Sequence, residues 1–74
     1  MNTVLYQKLI HLIENYTFVQ LAGTNSEVRL KIAKVRIIEV RGMLQIARRL
    51  PDAHALVHFL ENHHHFLEKE IAGR

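Results

Sequence analysis

The stretch from Ser26 to Leu50, SEVRLKIAKVRIIEVRGMLQIARRL, constrains this chain more than any other. It holds no proline, one glycine (Gly42), seven basic residues and two acidic ones. Leu30, Ala33, Ile37, Val40, Leu44 and Ala47 recur at alternating three- and four-residue steps, which places them along one stripe of a helix. Val28, Ile32, Val35, Met43, Ile46 and Leu50 form a second apolar set beside it, so the arc is broad. The competing reading is a strand. Residues 28–32 alternate strictly, and Val35, Ile37, Ile38 and Val40 are β-branched, so an α+β fold with residues 27–41 extended is the alternative. Helix is preferred because no turn signal precedes Gly42, and the run far exceeds a usual strand of about five or six residues.

A helix on each side completes the pattern. The first is expected over about residues 3–22, capped by Asn2 or Thr3. Leu5, Leu9, Leu12, Tyr16 and Val19 are its seam, and Tyr6, Ile10 and Ile13 widen it. Gly23 suits the left-handed position that ends a helix, and Thr24 with Glu27 has the spacing of a capping box, Ser26 being the fallback cap. The central helix then runs over about residues 25–50, stopped by Pro51. Asp52 is the expected cap of a third helix over about residues 53–71. Its seam reads Ala53, Val57, Leu60, His64, Leu67 and Ile71. Gly42 costs about 1 kcal/mol against alanine inside a helix, so a close helix approach or a bend is expected there.

Seventy-four residues make a single domain, 1–74, yet 49% of them are hydrophobic. Three helices can cover much of that apolar surface by folding alone, but the excess points to a partner. The expected fold is all-α, a three-helix antiparallel bundle or helical hairpin completed by homodimerisation. The expected contact residues are Leu5, Leu9, Leu12 and Tyr16 on the first helix with Leu30, Ile37, Val40 and Leu44 on the second. Without cysteine there is no disulfide and no thiolate metal site. No segment is apolar enough to cross a bilayer, and the N-terminus lacks the features of a signal peptide, so a cytoplasmic protein without membrane contact is expected.

Charge is unevenly placed. Residues 1–24 are neutral on balance, residues 25–50 carry net +5 and residues 51–74 net −2. Opposite signs suit helices that lie side by side, each exposed pair contributing about 0.2–1 kcal/mol. Lys31, Lys34, Arg41, Arg48 and Arg49 share one side of the central helix and form a candidate phosphate-binding stripe. Residues 46–60 carry a related signal: Ala47, Val57 and Leu60 stand at the spacing of the helix-turn-helix in bacterial DNA-binding repressors, and the segment resembles that motif. The resemblance implies a small DNA-binding regulator. It departs from the motif at the turn, where Pro51 and Asp52 replace the glycine and the apolar residue after it.

The third helix is rich in histidine. His54, His58, Glu61, His65 and Glu68 recur at three- and four-residue steps and form one row, and imidazoles four apart can share a divalent transition metal. Glu61-x-x-His64 has the spacing used in di-iron helix bundles, with Glu14 or Glu39 as the added carboxylate. The candidate metal ligands are His54, His58, Glu61, His64 and His65; otherwise no cofactor is expected. Five histidines in residues 51–74 also make association or stability sensitive to acid. With no cysteine nucleophile, no glycine-rich phosphate loop and its hydroxyls at helix ends, the chain is not expected to be an enzyme. The preferred function is a self-associating adaptor or regulator acting by protein–protein contact. The DNA-binding regulator stands second and the metal-binding bundle third.

Overall fold

The computed structural model describes residues 3–73. It is all-α: α1 spans Thr3–Leu21, α2 Ser26–Ala47 and α3 His54–Ala72, with no strand among the described residues. The extended alternative for residues 27–41 is overturned. Ala33, Ile37, Val40, Leu44 and Ala47, the stripe read from the sequence, are all buried on α2, as helical spacing requires and a strand would not allow.

The first break is organised by three consecutive residues. Gly23 takes φ +74, the left-handed conformation expected of it. Thr24 closes α1 by donating its hydroxyl to the Leu21 carbonyl at 2.9 Å. Asn25 caps α2 by accepting from the Val28 amide at 2.9 Å, so neither the Thr24–Glu27 box nor Ser26 is the cap. With the turn this short, Thr24 is occupied by the helix behind it and the next side chain serves the helix ahead. The cap expected at Asn2 or Thr3 lies outside the described residues and side chains.

The second break also differs from expectation. α2 stops at Ala47, and Arg49 and Leu50 bond back three residues to Ile46 and Ala47 at 3.0 and 3.1 Å, a tightened last turn before Pro51. Asp52 is not a cap. It adopts φ 54, while Ala53 starts α3 with no side-chain cap at all. Reversing the chain here needs a left-handed residue, no glycine is at hand, and aspartate tolerates that region better than most.

The three helices lie side by side in a bundle of 40 × 19 × 14 Å. α2 and α3 are antiparallel: Arg29 pairs with Glu70 at 2.8 Å, Arg41 donates to His64 at 3.2 Å, and Arg48 reaches Glu61 at 3.4 Å. α1 is parallel to α3. The Tyr6 hydroxyl donates to the Pro51 carbonyl at 3.1 Å, and eleven residues on Thr17 meets His63 at 3.1 Å. The core combines the α2 stripe with Tyr6, Ala53, Leu56, Leu60 and Leu67, and Ile10, Ile13, Val57, Phe59 and Ile71 pack around it.

Two seams face differently from the sequence reading. On α1 the buried row is Tyr6, Thr17 and Leu21 with Ile10 and Ile13 partly covered, whereas Leu5, Leu9, Leu12, Tyr16 and Val19 are exposed. On α3 the inward residues are Ala53, Leu56, Leu60, His63 and Leu67, so His63 rather than His64 occupies the polar place in the core. Gly42 meets nothing within 4 Å of where a Cβ would stand, and α2 continues through it. Neither a close approach within the chain nor a break in the helix accounts for it.

Candidate interaction surfaces

α1 carries two apolar rows. One is spent on the core, and the other, Leu5, Leu9, Leu12, Tyr16 and Val19, faces water at helical spacing of 4, 3, 4 and 3 residues. Leu12 is 65% and Val19 74% exposed, and they belong to one row rather than to scattered surface positions. Arg36 of α2 lies over the Tyr16 ring at 5.0 Å, joining this row to the neighbouring helix through a cation–π contact. Of the other expected contact residues, Leu30 is half-buried, and Ile37, Val40 and Leu44 are enclosed by the chain's own core. A contact surface on α2 therefore has to use its second apolar set.

Most of that second set is open: Val28, Val35, Met43, Ile46 and Leu50 are exposed and Ile32 is half-buried, while Ile38 and Gly42, outside the set, are exposed beside it. At about 100° per residue, Val28, Val35, Gly42 and Ile46 fall within one narrow arc, roughly opposite Ile37. Glu39 stands about 20° beyond one edge of the arc and is paired with Arg36 at 2.6 Å. The stripe of cations divides in two. Arg41 and Arg48 are engaged by His64 and Glu61 on α3, whereas Lys31, Lys34 and Arg49 have no ion-pair partner among the described residues.

The one buried histidine joins α1 to α3. The Thr17 hydroxyl donates to the Ile13 carbonyl at 2.9 Å, so it accepts from His63 Nε2–H at 3.1 Å, which fixes the ring's tautomer. Phe59 and Phe66 each stack with the imidazole, with centroids 5.4 and 6.0 Å away. Burial lowers the His63 pKa below its ordinary value, and the Glu14 carboxylate pulls weakly the other way. These groups line an open cleft of about 600 Å³ beside Leu21 and Arg29. His63 was hidden in the sequence within a run of three histidines. Its spacing from Leu56, Leu60 and Leu67 was the signal for it.

The proposed metal ligands are engaged elsewhere. His58 accepts from Asn62 at 3.2 Å, Glu61 holds Arg48, and His64 lies between Arg41 and Glu68. His65 stands 3.7 Å from Glu68, and His54 is exposed at the start of α3. Among the described residues no three His, Asp or Glu side chains converge on a point. The helix-turn-helix segment also departs in geometry. A DNA-reading pair crosses steeply, at about 90–120°, whereas α2 and α3 run alongside each other and share ion pairs from Arg48–Glu61 to Arg29–Glu70.

Comparison with protein-family models, with curated proteins and with solved structures finds no match to this chain. Among the described residues, no helix is long and apolar enough to cross a membrane.

Proposed function

We propose that this protein is a small helical adaptor that acts by protein–protein contact and pairs with a second copy of itself through α1. The supporting observation is the exposed row Leu5, Leu9, Leu12, Tyr16 and Val19. The row is nearly symmetric about Leu12. A two-fold, antiparallel pairing brings Leu12 onto its own copy and sets Leu5 against Val19 and Leu9 against Tyr16, to within one residue. That is the self-complementarity an isologous dimer requires. α1 carries only Lys8 and Glu14 as full charges, so like-charge repulsion across the pair is small.

A stable interface takes about 800 Å² from each partner, about one-seventh of the 5378 Å² this chain exposes. Sedimentation equilibrium at two concentrations tests the proposal. The expected species has twice the 8.7 kDa mass of the chain, and Leu12→Glu returns it to 8.7 kDa with its helical circular dichroism unchanged. A wild-type chain that sediments as a monomer at every concentration overturns the dimer. Salt-sensitive retention on duplex DNA, lost in Arg48→Glu/Arg49→Glu, would replace it with the nucleic-acid function.

A further inference from the structure

We propose that the outward face of α2 is a second docking surface, and that it takes an acidic amphipathic helix from another protein, crossing at Gly42. Gly42 is the first observation. Glycine weakens a helix interior, yet nothing among the described residues comes within 4 Å of its missing Cβ. Four exposed apolar residues flank it, Val35 and Ile38 before it and Met43 and Ile46 after it, with Glu39 and Gln45 three residues to either side. A smooth patch without a side chain, flanked by larger ones, lets a second backbone approach closely and seat its own side chains between them.

Charge identifies the occupant. Lys31 lies within this face one turn before Val35, Lys34 follows its edge and Arg49 stands just beyond its end, all three without an ion-pair partner among the described residues. Glu39, the acid inside the face, is already held by Arg36. A second copy is a poor fit here. With the crossing at Gly42, an antiparallel two-fold pairing would set Lys34 of each copy beside Arg49 of the other, like charge against like charge. A helix with apolar residues on one face and carboxylates along its flank fills the apolar arc and answers all three cations.

The inference stands apart from the α1 dimer, and the Leu12→Glu chain separates the two. The probe is a labelled synthetic peptide of three heptads, with Leu and Ala on one face and Glu on the flanks, read by fluorescence anisotropy; a control peptide has Lys in place of Glu. The acidic peptide is expected to bind wild-type and Leu12→Glu chains equally, with affinity that falls as salt rises. Gly42→Leu, which meets open space in the isolated chain, should weaken binding by about tenfold or more. Lys31→Glu/Lys34→Glu/Arg49→Glu should transfer the preference to the Lys peptide. Equal binding of both peptides to the wild-type chain, or unchanged binding by Gly42→Leu, overturns the proposal. So does a wild-type chain that binds duplex DNA and not the acidic peptide, or an Ile38→Glu variant that dissociates the homodimer.

Discussion

Thr17 and His63, forty-six positions apart, share a buried hydrogen bond of 3.1 Å that fixes the rotation of α1 against α3. The hydroxyl spends its proton on the Ile13 carbonyl and can only accept from the imidazole. Thr17→Val therefore leaves the His63 N–H buried and unpaired, at a cost of about 1–3 kcal/mol. Chemical denaturation measures it; a variant as stable as wild type would mean that this bond does not hold α1 in place.

The same histidine makes stability depend on pH. Its folded pKa lies below the ordinary value because burial disfavours the imidazolium. As pH falls through about 6.5, the unfolded chain takes up the proton first, so stability is full above that pH. It declines below it, until the folded form also protonates. His63→Gln keeps an N–H donor and removes the titration. Melting curves at pH 7.5 and 5.5 should show wild type losing stability on acidification and His63→Gln losing less; equal losses would mean that His63 does not carry the acid sensitivity.

Asp52 holds a left-handed backbone with φ 54. Glycine adopts that region freely, whereas a Cβ without a polar group is penalised by about 1–2 kcal/mol. Asp52→Gly is expected to melt above Asp52→Ala. The reverse order in calorimetry would show that the aspartate side chain, rather than the backbone, sets stability here.

Gly42 offers a second stability test. Because a Cβ there meets nothing, Gly42→Ala should stabilise the isolated chain by about 1 kcal/mol through helix propensity alone. A destabilised Gly42→Ala would reveal a close contact at this point of α2.

Truncations along the helices separate the inner from the outer rows. Leu60→Ala and Leu67→Ala remove side chains that are 1% and 0% exposed, and each should cost about 2–5 kcal/mol. In the Leu12→Glu monomer, Val19→Ala should change stability by less than about 0.5 kcal/mol, since Val19 is 74% exposed. A large loss at Val19 would mean that α1 packs through the other row.

Three helices, the break at Gly23 and the stop before Pro51 were legible in the sequence, because propensity, periodicity and turn chemistry act over a few neighbouring residues. So was the apolar stripe from Ala33 to Ala47 on α2, though not that Ile37, Val40 and Leu44 close this chain's own core rather than meet a second copy, and so was the opposition of charge between the basic second segment and the acidic third. Which row of α1 turns inward, and which histidine is buried, was decided by the tertiary structure. A helix with two apolar rows satisfies its periodicity in either orientation. The choice fell to polar groups that meet only when distant segments pack, the Tyr6 hydroxyl on the Pro51 carbonyl and Thr17 on His63. No local pattern encodes such pairs, since each bond exists only once the other helix is in place.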